Sequence, residues 1–137
     1  MAIDAPVDAG PLVALIDSQD NHRSRLLRLL DDAPVPWLTS VACLTEALHL
    51  LGRGGGYRAQ AALWQLCATG ALAVANSTPI DIELAAAYMS RFKDVPCDFG
   101  DATLLALAER TGFRRMITLD RHFHAFRVSG EHLEVLS

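Results

Sequence analysis

The sequence predicts an α/β fold built on a mainly parallel sheet, and three observations lead there. Short apolar runs of about four or five residues alternate along the chain with longer helical patterns, the order that strand–helix–strand units produce. No internal repeat or low-complexity linker divides the 137 residues, so one domain spanning 1–137 is expected, long enough to bury a real core. Hydrophobic residues make up 51% of the chain and the mean hydropathy is +0.22, values of a globular protein rather than a disordered one.

The first predicted strand, 3–7, is apolar apart from Asp4 and Pro6, and it turns through Asp8-Ala9-Gly10-Pro11 into a helix over 12–17. An amphipathic pattern over 22–31 carries Leu26, Leu27, Leu29 and Leu30 among Arg23, Arg25 and Arg28. A second strand, 36–39, leads into a helix over 41–51 that is apolar nearly all round and so is expected to be buried. Gly52-Arg53-Gly54-Gly55-Gly56 reads as a connection to the next helix, 58–69. A third strand follows at 72–75. The helix at 79–91 opens with Thr78-Pro79 and with Asp81 at the third position of a capping box. A strong helix over 101–111 and strands at 115–119 and 133–136 complete the pattern. In open parallel sheets ligands gather beyond the carboxyl ends of the strands, and Asp8 and Asp120 both fall there.

Composition narrows the function classes. No apolar run reaches the roughly 18 residues needed to cross a bilayer, and no basic stretch followed by an apolar one opens the chain, so a cytoplasmic location is expected. Three widely spaced cysteines, Cys43, Cys67 and Cys97, suit neither a disulfide framework nor a zinc site and read as free thiols. The net charge of −4 argues at first against a nucleic-acid partner. Setting aside four carboxylates that share one pocket leaves 12 acidic residues against 12 Lys plus Arg, a neutral surface, and a bound cation would reverse the pocket's own field.

Those four are Asp8, Glu46, Asp101 and Asp120. Each sits where an apolar segment meets a turn or runs through a core, and a carboxylate there is costly to desolvate unless a cation compensates it. Four together point to an acidic pocket that holds a divalent metal. Each also has a plainer reading. Asp8 before Gly10-Pro11 suits an N-cap, Glu46 suits an exposed stripe that it shares with His49 at i, i+3, and Asp120 suits a turn before a short helix. Asp98 and Asp101, three apart at the start of a helix, read as cap and third-position partner. Thr118 lies two residues before Asp120 on the same strand face and is placed to orient a carboxylate.

The ordered set Val7-Asp8-Ala9-Gly10-Pro11-Leu12, Leu38-Thr39-Ser40 leading to Leu44-Thr45-Glu46-Ala47, Cys97-Asp98-Phe99-Gly100-Asp101-Ala102-Thr103-Leu104 and Ile117-Thr118-Leu119-Asp120-Arg121-His122-Phe123 resembles the PIN-domain nucleases, specifically the VapC-type toxins of bacterial type II toxin–antitoxin pairs. Each motif alone is weak, but their order and spacing run from Asp8 to about Arg127. The resemblance implies a PIN-like three-layer fold with a central, mainly parallel five-stranded sheet flanked by helices. It implies Asp8, Glu46, Asp101 and Asp120 as catalytic, Mg2+- or Mn2+-binding residues, with Asp98 and Thr118 in support. It further implies hydrolysis of RNA phosphodiesters, a homodimer, and a small antitoxin that docks on the early helices. Asp4 and Pro6 depart from the family's uninterrupted first strand. A PIN nuclease of RNA processing without an antitoxin, or an inert RNA- or protein-binding module, are the alternatives. A phosphotransferase using Asp8 as nucleophile would want a second Asp at position 10, where the chain has Gly, and an essential Lys, where it has only Lys93.

Overall fold

The structure is a computed structural model that describes residues 5–31 and 36–137. Ile3 and Asp4, the start of the first predicted strand, lie outside the described residues, as does Asp32. Five parallel segments run side by side. Strand β1 (Trp37–Ser40) pairs in parallel with β2 (Leu72–Ala75), and β3 (Arg115–Ile117) pairs in parallel with β6 (Glu134–Leu136). Pro6 and Val7 join the two pairs, Pro6 bridging to Leu38 and Val7 to Ile117, both in parallel. The order across the sheet is therefore β2, β1, residues 6–7, β3, β6. Pro6 is tolerated mid-sheet because the ladder toward β3 uses its carbonyl, which accepts from Ile117 N–H at 2.9 Å, and Asp8 N–H, which donates to Ile117 O at 2.9 Å. Neither bond needs the N–H that proline lacks.

The helices cover this sheet. Helix α1 (Ala9–Ile16) packs on α2 (Arg23–Asp31) and on α3 (Val41–Ala68), while α4 (Pro79–Arg91) packs on α5 (Phe99–Thr111), which also reaches β1 and α3. The core is aliphatic, centred on Val7, Leu12, Leu26, Leu30, Leu104, Leu105, Met116 and Ile117, with Phe123 packed edge-on to Phe126. Of the four leucines of α2, Leu26 and Leu30 are fully buried in this core, and Leu27 and Leu29 stay partly open.

Two further expectations change. Helix α3 is not buried all round: Cys43, Leu44, Ala47 and Leu51 face the core, whereas Val41, Thr45, Glu46, His49 and Leu50 are exposed. An outer-layer helix has only one side to bury. The glycine-rich stretch is not an open connection either. Helical geometry continues through Gly55 and breaks only at Gly56, whose φ of 66° and ψ of −160° suit a residue without Cβ. Helices α1 and α5 begin ahead of the apolar runs 12–17 and 101–111, directly after Asp8 and Asp98, which cap them as their N-cap readings expected. A short hairpin, β4 (Arg127–Val128) with β5 (Glu131–His132), went unforeseen. It turns on Ser129 and Gly130, both at positive φ, as tight hairpins require.

Candidate active site

At the carboxyl ends of the central segments lies a cavity of about 260 Å³ lined by Asp8, Glu46, Asp98, Asp101 and Asp120, with Ala9, Gly10 and Leu119. Among the described residues that line it, five are carboxylates and none is cationic. All four residues read from the sequence as metal-binding, and Asp98 beside them, are thus brought to one place. Their positions follow from local structure. Asp8 ends the Pro6–Val7 bridge and caps α1, its Oδ1 accepting from Ala9 N–H at 2.8 Å. The plainer reading as an N-cap is therefore also true of it. Glu46 projects from the second turn of α3, which Ser40 caps by accepting from Cys43 N–H at 3.1 Å. Asp98 and Asp101 form a reciprocal capping box on α5: Asp98 Oδ1 accepts from Asp101 N–H at 2.8 Å, and Asp101 Oδ2 from Asp98 N–H at 3.2 Å. Asp120 caps the short 3-10 helix Arg121–Ala125, and its Oδ1 takes both the backbone N–H and the Nδ1 of His122 at 2.9 Å.

Thr118 ties two of these together. Its buried hydroxyl donates to Asp8 Oδ2 at 2.8 Å and accepts from Asp120 N–H at 3.0 Å. Three supporting groups escaped the sequence reading. Cys43 Sγ lies 3.6 Å from Asp8 Oδ1 and 3.7 Å from Gly100 O. Thr103 donates to Gly100 O at 2.7 Å and shares a 2.8 Å hydrogen bond with Ser40. Ser40, directly before α3, carried an N-cap signal that could have flagged it; Cys43 and Thr103 carried none. His49 is exposed and does not line the cavity.

The electrostatics are those of like charges confined together. Burial, then Asp98, Asp8 and Asp120, push the Asp101 carboxyl up to about 8, even though its bond from Asp98 N–H opposes the rise. Burial also raises Asp8 against the pull of its hydrogen bonds from Thr118 and Ala9. Glu46 is raised by burial and by Asp98, Asp8 and Asp120. Desolvation and like charge act in the same sense here, and a bound cation would oppose both. Asp81, in the first turn of α4, shows the contrast. Burial raises its carboxyl, but hydrogen bonds from Thr78 and the 2.6 Å contact with Arg110 Nε outweigh that and hold it below the usual range.

The donor set fits a hard divalent ion. Every side chain among the described lining residues that could ligate is a carboxylate, the oxygen donor that Mg2+ and Mn2+ prefer. Among the described residues no three His, Cys, Asp or Glu side chains are already drawn together to hold an ion by themselves. Four of the five carboxylates, Asp8, Asp98, Asp101 and Asp120, each give one oxygen to a capping N–H, and Mg2+ needs only one or two direct protein ligands because it keeps several waters. A larger cavity of about 390 Å³ lies between α1 and α3, lined by Val13, Ile16, Leu50 and Leu51 with Asp17 and Arg58. Its lining is largely apolar, with a single carboxylate among the described lining residues.

The chain matches the PIN domain family over residues 6–128. It is 29% identical to ribonuclease VapC26 of Mycobacterium tuberculosis over 125 residues, 90% of this chain and 93% of that protein. Its fold superposes with a TM-score of 0.81 on the crystal structure of VapC20, a sarcin–ricin-loop-cleaving toxin of the same organism, at 26% identity over 92% of this chain and 97% of the other. A toxin–antitoxin complex from Klebsiella pneumoniae aligns with a TM-score of 0.70 at 19% identity, covering 97% of this chain and 96% of that one. That last likeness speaks to the fold alone.

Proposed function

Because the chain belongs to the PIN-domain family, we propose that it is a Mg2+- or Mn2+-dependent endoribonuclease acting as the toxin of a toxin–antitoxin pair. The observation that carries the reading is the convergence of Asp8, Glu46, Asp98, Asp101 and Asp120 on one cavity with no cationic side chain among its lining residues. Asp8, Glu46, Asp101 and Asp120 hold the ion in this reading. An ion held there would supply the Lewis acidity that polarises a phosphodiester and lowers the pKa of a water. Thr118 fixes the Asp8 carboxylate so that Oδ1 and Oδ2 keep one orientation. Asp98 holds the first turn of α5, and so the backbone that carries Asp101, at the mouth of the cavity.

The same reading places the protein in the cytoplasm as a homodimer, and no helix among the described residues is long and apolar enough to cross a membrane. A small antitoxin docks on the apolar hollows beside α1, where Val13, Ile16, Leu27, Leu50 and Leu66 are reachable. Cleavage of total RNA by the purified chain with Mg2+ or Mn2+, beside Asp8→Asn and Asp101→Asn, tests the proposal. Discrete metal-dependent cuts that vanish in both variants support it. Cuts that persist in both variants sink it.

A further inference from the structure

Next to the acidic cavity lies a second hollow of about 180 Å³ that shares Leu119 and Asp120 with it and is lined by His22, Arg25, Arg121 and His124. We propose that this hollow is a backbone-phosphate subsite, in which Arg25 and Arg121 hold the RNA strand beside the bond that is cut. The proposal rests on the ribonuclease reading above and adds to it the residues that grip the substrate.

Charge placement carries the argument. The acidic cavity by itself repels a polyanion, so a strand entering it needs a cationic hold close by. Five of the eleven arginines are engaged elsewhere. Arg110 pairs with Asp81, Arg114 with Glu131 and Arg115 with Glu134, while Arg23 Nε donates to Leu15 O and Arg91 lies over the Tyr88 ring. Among the described residues neither Arg25 nor Arg121 makes an ion pair. Both are exposed, and they reach one hollow from different elements, Arg25 from α2 and Arg121 from the 3-10 helix. Within that hollow Asp120 is the one side-chain carboxylate among the described lining residues, and it is the residue shared with the acidic cavity. Cationic and anionic hollows are thus joined at a single carboxylate. That suits a strand with one phosphate on the arginines and the next reaching the carboxylate cluster. His22 and His124 add ring nitrogens able to hydrogen-bond phosphate oxygens. Guanidinium groups suit the task, since they bind phosphate through paired N–H groups.

The test uses the full chain in two arms. In the first, binding of a fluorescent single-stranded RNA to the Asp8→Asn variant is titrated against salt, alone and with Arg25→Ala, Arg121→Ala or both added. Arg53→Ala, an exposed arginine that lines neither hollow, is the control. Each subsite substitution is expected to weaken binding about tenfold at low salt and to reduce the slope of log affinity against log salt by about 0.7. In the second arm, the same arginine changes in the otherwise unaltered enzyme raise KM and leave kcat within about twofold, with Arg→Lys restoring part of the loss. Cleavage and binding that match the unaltered chain in the double variant would overturn the subsite while leaving the nuclease reading intact. A chain that neither cuts nor binds RNA, with or without metal, would overturn both.

Discussion

Replacing Asp101 with Asn should inactivate the protein and make it more stable. In the unfolded chain Asp101 titrates at its ordinary 3.8, whereas burial and its carboxylate neighbours raise it to about 8 in the fold. Between those values the folded state holds a proton that the unfolded state has released. Folding is therefore penalised increasingly as pH rises through that window, in full above about pH 8, and not at all below about pH 3.8. At pH 7, at 1.36 kcal/mol per pH unit, the penalty is on the order of 4 kcal/mol. Relaxation of the site and coupling to Asp98 leave about 1–3 kcal/mol of that to be recovered by a neutral side chain. Asparagine keeps an oxygen to accept from Asp98 N–H, so the cap survives. Thermal unfolding followed by circular dichroism in EDTA should show Tm higher by about 3–10 °C for Asp101→Asn at pH 8, with the gap closing toward pH 4. Mg2+ should raise the Tm of the unaltered chain much more than that of the variant, and metal-dependent cleavage should fall about 100-fold or more. A variant less stable than the parent at pH 8, or a gap indifferent to pH, would show that the carboxylates do not repel one another as described.

Thr118→Val removes the donor to Asp8 Oδ2 and the acceptor for Asp120 N–H in one near-isosteric step; it should cost about 1–3 kcal/mol in denaturant titration and weaken Mn2+ binding about tenfold or more, while Thr118→Ser keeps most of both. Gly100→Ala would set a methyl group 3.3 Å from Asp98 Oδ1 and from Glu46 Oε2, so cleavage should drop well beyond any loss of stability; equal activity would mean that Glu46 is free to stand elsewhere. Asp81→Ala loses the third-position partner of the α4 capping box and the Arg110 contact between α4 and α5. It should lower stability by about 1–2 kcal/mol with kcat unchanged in the folded fraction, and a selective loss of kcat would place Asp81 in the chemistry.

The sequence by itself determined the elements and the order of the acidic residues along them. Alternation of apolar runs marked the five parallel segments, and capping signals at Thr78–Asp81 and Asp98–Asp101 marked two helix starts, because both are local effects of side chains within four residues. Local sequence could not choose between cap and ligand for Asp8, and the fold shows why: Asp8 caps α1 and faces the cavity at once. What only the tertiary structure decided depends on partners far along the chain. Thr118 reaches Asp8 across 110 positions, and Cys43 comes to lie beside Asp8 and Gly100. Leu26 and Leu30 were taken into the core rather than left for a partner. Arg23, Arg25 and Arg28, alike in the sequence, were separated by helix phase, so that Arg25 alone of the three faces the hollow beside the carboxylates. Periodicity fixes which residues share a face, but only packing of one element on another decides what that face meets.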